Sequence, residues 1–323
     1  MSAIILHHYP LSPYSEKARL AMGVKDLSWS SVEIPIWTPR PKLTPMTGGY
    51  RRTPILQIGA DFFCDTLLIL RILEQQSNAG SLYPSGQEGV AKAFGWWIER
   101  GSFANAICLT CSNLGGKLPQ ELVDERRSFF PFSIEPSDLL PDRAKYLQRL
   151  NAHTAWLAEV LGDGRKFMLG DSPSAADLSA FHPIWFAHQN GGKEITDSLS
   201  FSSIVGPWYA RVAAIGHGRP VDMTPDQAID AARTAEPRDL DEWSSEAEDI
   251  GLRRGDIVSV TPDDYGNPVV GRLLAWKADE VVLRHEDPSV GSVNLHFPRV
   301  GFDVVPAQKL AAWPMGQGEA LDR

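Results

Sequence analysis

The segment that most restricts the fold opens the chain: Ile4-Ile5-Leu6-His7-His8-Tyr9-Pro10-Leu11-Ser12-Pro13-Tyr14-Ser15-Glu16-Lys17-Ala18-Arg19-Leu20. Residues 3–9 are apolar and partly β-branched, the pattern of a buried strand. Pro13 carries the fixed φ of a first helical position, so a helix over 13–22 must begin almost where the strand ends. Ser12 is thereby delivered to the positive end of a helix and to the carboxyl edge of a strand. Folds of alternating strands and helices hold their ligands at such an edge.

The following segments extend the same unit. A second strand is expected near Trp29–Ile34, then an irregular proline-rich passage from Pro35 to Pro45. Ile55-Leu56-Gln57-Ile58, Gly59-Ala60-Asp61 and Phe62-Phe63-Cys64 read as a tight hairpin. Residues 65–74 read as a strongly apolar helix started by an Asp or Thr. Residues 1–80 therefore form a small α/β domain. After a Ser-, Asn-, Gly- and Pro-rich stretch, helical patterning dominates residues 88–218. Long helices are expected over 88–115 and 142–161, with others beginning near Ser174 and Pro207. Ser174-Ala175-Ala176-Asp177 has the spacing of a capping box.

The net charge of −9 is concentrated in one place. Residues 221–249 hold ten acidic residues against Arg233 and Arg238, and 219–250 is read as an acidic linker. Beyond it the pattern changes to five short strands within 251–310, at 256–260, 269–276, 280–285, 292–297 and 302–305. These are expected to form a small β-barrel of the SH3-like kind, packed on the helical domain or extending a dimer interface. Six basic and eight acidic residues within 251–306 argue against nucleic-acid binding there. No apolar run is long enough for a membrane span, and no secretory leader is expected ahead of the first strand. The three cysteines, Cys64, Cys108 and Cys111, cannot all pair with one another. A reducing, cytoplasmic setting is expected. Cys108 and Cys111, with no second Cys or His cluster at zinc spacing, read as packed thiols, and no metal site is expected.

Four segments in order resemble the glutathione transferase family, over roughly residues 1–218. Residues 12–19 (SPYSEKAR) are similar to the active-site turn of serine-type classes such as tau and zeta. Arg52-Thr53-Pro54-Ile55 sits where relatives carry a cis-proline. Asp65-Thr66 is similar to the acid–hydroxyl pair that holds the γ-glutamyl end of glutathione, with Thr in place of the more usual Ser. Residues 169–178 (LGDSPSAADL) are similar to the folding box of the helical domain. The fold class implied is a thioredoxin-like α/β domain plus an all-α domain, here followed by the additional all-β module.

The resemblance implies glutathione as co-substrate and a homodimer through the N-terminal domains. Ser12 would donate a hydrogen bond to the glutathione thiolate, with Ser15 as the rival hydroxyl. Thr53 would turn its backbone toward the cysteinyl part, Pro54 being cis, and Asp65 and Thr66 would take the γ-glutamyl end. Arg51 and Arg52 are candidates for pairing with a carboxylate or with a dimer partner, and Lys42 is a candidate for the glycyl carboxylate. A small, apolar electrophile would lie over Ser12, walled by Tyr9, Leu11, Trp96, Trp97, Arg100, Phe103 and Ile107 and closed by Trp185 and Phe186. Serine rather than cysteine at position 12 points to conjugation, or to zeta-like isomerisation, rather than thiol exchange. A transferase-like scaffold or ligand binder without catalysis is the reading from outside the enzyme class.

Overall fold

The computed structural model of the chain describes residues 3–240, 243 and 251–308. In chain order the elements are β1 (Ile4–His8), α1 (Pro13–Val24), β2 (Ser28–Glu33), α2 (Thr44–Thr47), β3 (Ile55–Ile58), β4 (Asp61–Cys64) and α3 (Thr66–Glu74). The helical domain follows as α4 (Glu88–Ser112), α5 (Gln120–Arg127), α6 (Pro136–Leu139), α7 (Arg143–Val160), α8 (Ala175–Asn190), α9 (Gly192–Ser198) and α10 (Val205–Ala213). Then come β5 (Arg219–Asp222), α11 (Pro225–Arg233), β6 (Ile257–Pro262), β7 (Val269–Lys277), β8 (Glu280–Asp287), β9 (Gly291–Pro298) and β10 (Phe302–Pro306). Among the described residues, no helix is long and apolar enough to cross a membrane.

The N-terminal sheet is thioredoxin-like: β1 pairs in parallel with β2 and antiparallel with β3, and β3 pairs antiparallel with β4. It does not end there. The strands join one ten-stranded sheet in the order β10-β6-β7-β8-β9-β4-β3-β1-β2-β5. Asp61–Phe63 of β4 pair in parallel with Asn294–His296 of β9, so the C-terminal strands continue the thioredoxin-like sheet.

The hairpin β3–β4 explains why both neighbours are needed. Successive residues on a strand face opposite sides, and this hairpin is apolar on both. Leu56 and Phe63 pack with the helical core that contains Leu20, Leu70, Phe181 and Trp208. Ile55 and Phe62 pack on the other side with Val260, Leu283, Leu295 and Phe297 of the C-terminal strands. An unbroken apolar run of this kind belongs to a strand buried on both faces.

A charged seam crosses the same junction. Buried His296 holds Asp61 at 2.8 Å through Nε2 and Glu280 at 2.7 Å through Nδ1, and its ring stacks on Phe63. Arg71 of α3 pairs with Glu280 and Asp279. Burial alone would lower the His296 pKa, but the hydrogen bonds and charges of Asp61 and Glu280 outweigh it and raise it.

Residues 219–250 are not a linker throughout. β5 adds to the edge of β2, and α11, capped by Thr224 with Gln227 completing a capping box, covers the far side of β1 and β2. Gln57 Nε2 donates to Ala228 O at 2.9 Å, tying this helix to β3. The linker reading failed because β5 is wholly exposed and α11 buries only Ala228 and Ala232, too little apolar side chain to show a period. Of the rest of that segment, residues 234–240 and Trp243 are described, while 241–242 and 244–250 lie outside the described residues.

The helical domain is set by Asp177, wholly buried at the start of α8. Its carboxylate accepts from Ser174 N, Ser174 Oγ, Met168 N and Trp208 Nε1, at 2.7–3.0 Å. The contact between α1 and the segment ahead of β5 depends on Gly23, where a Cβ would meet the carbonyl oxygen of Gly216 at 2.1 Å.

Candidate functional site

A cavity of about 280 Å³ lies between the thioredoxin-like unit, the helical domain and the C-terminal strands. Ser12 sits on its floor, 2% exposed, as the N-cap of α1. Its Oγ accepts from Ser15 N at 3.1 Å. A hydroxyl that accepts through one lone pair still has its proton to donate, and the helix N-terminus favours a negative charge beside it. Ser15 is fully buried, lacks a hydrogen-bond partner for its Oγ and does not line the cavity. Of the two hydroxyls, only Ser12 meets the space.

Three further expected residues line the same cavity. The Thr53–Pro54 peptide is cis, and both residues line the cavity. Asp65 caps α3 with φ +71, its carboxylate accepting from Leu67 N at 2.9 Å. Burial raises the Asp65 pKa, against the opposing pull of the Leu67 N–H, Arg52 and Lys17. A buried carboxylate that carries this penalty gains from any cation placed next to it.

Thr66 is held by a cluster that was not read from the sequence. Lys17 Nζ donates to Thr66 Oγ1 at 3.2 Å and pairs with Glu99 of α4 at 2.6 Å, while His182 of α8 lies 3.3 Å from the same carboxylate. Burial opposes ionisation of Glu99, yet Lys17 and His182 hold its pKa down at about 2. Lys17 and Glu99 both line the cavity. The helical spacing of Lys17, one turn past Tyr14 on α1, is a signal that could have placed it there.

The expected cations divide. Lys42 is exposed and pairs with Asp226 of α11 at 2.6 Å, away from the cavity. Arg40, Arg51 and Arg126 line the cavity instead. Arg51 and Arg126 share Glu125, while Arg40 donates to the carbonyls of Pro35, Ile36 and Arg51 and to Thr53 Oγ1. Three guanidiniums around one carboxylate leave this corner net positive. Burial lowers the Arg40 pKa to about 10, which keeps it charged at neutral pH. Arg52 lines the cavity but is engaged by Asp264 and the Tyr265 carbonyl, from the turn between β6 and β7.

Apart from Arg100, the outer wall is largely apolar and aromatic. Tyr9, Leu11, Trp96, Arg100, Phe103, Ile107 and Phe186 line it as expected. Trp97 and Trp185 do not: Trp97 is 51% exposed and packs on Trp156 on the outside, and Trp185 packs against the helical core. Adjacent residues on a helix point about 100° apart, so Trp96 and Phe186 take the inward positions. Cys111 also faces the cavity, whereas Cys108 does not, and both thiols are buried and free. His7 and His8 are buried and held neutral, their pKa values lowered by burial to about 4 and about 3.

A thioredoxin-like unit joined to an all-helical one, with a cavity at their boundary, is the glutathione transferase fold. Residues 6–81 match the family model described as "Glutathione S-transferase, N-terminal domain", and residues 141–233 match "Glutathione S-transferase, C-terminal domain". A GST-like protein from Pseudomonas syringae is 35% identical, with a TM-score of 0.74, and covers 95% of this chain and 100% of its own. The chain belongs to the glutathione S-transferase family. It is also similar to FtsZ-localized protein A of Caulobacter vibrioides, 25% identical over 54% of this chain and 75% of that protein. Poplar glutathione transferase F1, at 14% identity and a TM-score of 0.52, shares the fold over 73% of this chain and 100% of its own.

Proposed function

We propose that the chain is a glutathione-dependent transferase, in which Ser12 stabilises the glutathione thiolate for attack on a small apolar electrophile. One observation carries this reading: Ser12, Thr53, Pro54, Asp65 and Thr66 face one cavity whose opposite wall is apolar. Asp65 would receive the α-ammonium of the γ-glutamyl residue, and the Thr66 hydroxyl its carboxylate. Lys17 would hold Thr66 in place. The positive corner of Arg40, Arg51 and Arg126 takes over the part first given to Lys42, toward the glycyl carboxylate. The apolar wall supports conjugation; a zeta-like isomerase would use the same thiolate on a conjugated double bond.

The experiment is calorimetric titration with reduced glutathione. Asp65→Ala should weaken binding by at least about tenfold, since a buried charge-assisted hydrogen bond is worth roughly 1.5–3 kcal/mol. A wild-type protein that takes up no glutathione ends the transferase reading. It would leave a partner-binding scaffold, the reading favoured by similarity to a protein named for localising with FtsZ.

The homodimer implied by the family resemblance would have to form away from the β4 edge, because β9 is hydrogen-bonded along it. Sedimentation should show a dimer that persists in variants of β9. A monomer at every concentration rules the dimer out.

A further inference from the structure

The all-β region has no assigned role, yet part of it enters the cavity. The turn between β6 and β7 places Asp264 and Tyr265 on the cavity lining. Two ion pairs fix it from opposite sides. Asp264 pairs with Arg52 in the thioredoxin-like unit, and Asp263 pairs with Arg100 of α4 in the helical domain. The turn therefore spans the cavity from one domain to the other.

Tyr265 lies between those anchors. Its ring meets Phe129 and Phe130 edge-on, with centroids 5.2 and 5.3 Å away, and the Arg52 guanidinium stands 4.5 Å from its centre. Phe130 in turn stacks on Phe132 at 4.7 Å and meets Phe103 at 6.1 Å. Tyr265 thus completes a run of aromatic rings on the side where the electrophile would sit. The turn between β9 and β10 supports it. Gly301, with φ +85, lies so close to Trp96 that a Cβ would meet the indole at 2.5 Å, and Phe302 lines the cavity beside it.

We propose that Tyr265 is a specificity-determining residue of the acceptor site, closing it with an aromatic face that selects flat aromatic electrophiles. This rests on the transferase reading for its chemistry, but the aromatic wall can be tested without it. Edge-to-face packing of a bound ring on Tyr265 would be worth about five- to tenfold in affinity. Burial raises the Tyr265 pKa, so the phenol stays neutral throughout the working range.

The test uses the full chain with Tyr265→Ala and Tyr265→Phe. With 1-chloro-2,4-dinitrobenzene, Tyr265→Ala should raise KM about five- to tenfold and leave kcat within about twofold. Tyr265→Phe should restore KM. With iodomethane, too small to span the wall, KM should move less than about twofold in either variant. The glutathione-independent arm is titration with 8-anilinonaphthalene-1-sulfonate, displaced by 1-chloro-2,4-dinitrobenzene to confirm the site. Tyr265→Ala should weaken its binding about fivefold. Failure of the wild type to bind glutathione strikes the transferase reading alone. Equal dye affinity in wild type and Tyr265→Ala, or equal loss with both electrophiles, overturns the role of Tyr265.

Discussion

Ser12→Ala should slow conjugation at pH 7 by on the order of 10²-fold, the scale for deleting one donor aimed at developing or resident negative charge. Glutathione affinity should stay within a few-fold, because in the proposed mode Asp65, Thr66 and the arginine corner would hold the tripeptide by its ends. The pH profile makes the result specific. Without the hydroxyl, the bound thiol titrates closer to the ~8.5 of a free one, so the deficit should shrink as pH rises toward 9. A structural defect would give a deficit independent of pH. Ser15→Ala, at a hydroxyl that does not reach the cavity, should leave the profile in place. Equal rates for wild type and Ser12→Ala at every pH would remove Ser12 from the chemistry.

His296→Ala should destabilise the chain by roughly 3–5 kcal/mol, because deleting one partner of a buried ion pair strands the other. Here two carboxylates, Asp61 and Glu280, lose their shared partner. The pH dependence has a definite sign. The His296 pKa is raised above its ordinary 6.5. Its contribution is therefore complete below that value and is lost as pH climbs through the folded-state pKa. Asp61 behaves oppositely: its pKa is lowered, mainly by the His296 hydrogen bond acting against burial, so its contribution is lost as pH falls through the folded-state value. Urea midpoints should decline on the alkaline side in the wild type and show a flatter alkaline limb in His296→Ala. A midpoint that does not change on substitution would mean the seam contributes little.

The local parts of this molecule were legible, and the long-range ones were not. Residues 4–20 declare a strand, a turn and a capped helix through neighbours in sequence, and all five C-terminal strands follow from alternation between turn residues. Ser12, cis-Pro54 and the Asp65-Thr66 pair were expected from short motifs that resemble the family's, and all of them line one cavity. The pairing of β9 with β4 joins residues more than two hundred positions apart and leaves no mark in either segment's pattern. Asp264 and Tyr265 looked like turn residues, and a turn says nothing about the cavity it faces. Naming Lys42 and missing Arg40 has the same cause. Both lie in the same irregular passage, and only the folded path shows that Arg40 turns inward while Lys42 meets Asp226. α11 was the more avoidable miss, since Thr224, Pro225 and Gln227 spell a helix start.

The strand that closes β4 has a consequence for how the protein is made. Synthesis runs from the N-terminus, so β1 to β4 and the whole helical domain leave the ribosome before β9 exists. Until then the nascent thioredoxin-like unit presents an unpaired β4 edge, with Phe62 lacking the C-terminal strands that cover it. Such an edge recruits other strands, and truncated or prematurely released chains should be the aggregation-prone form of this protein. The last strands thus complete both the cavity lining and the cover over the first domain's β4 edge.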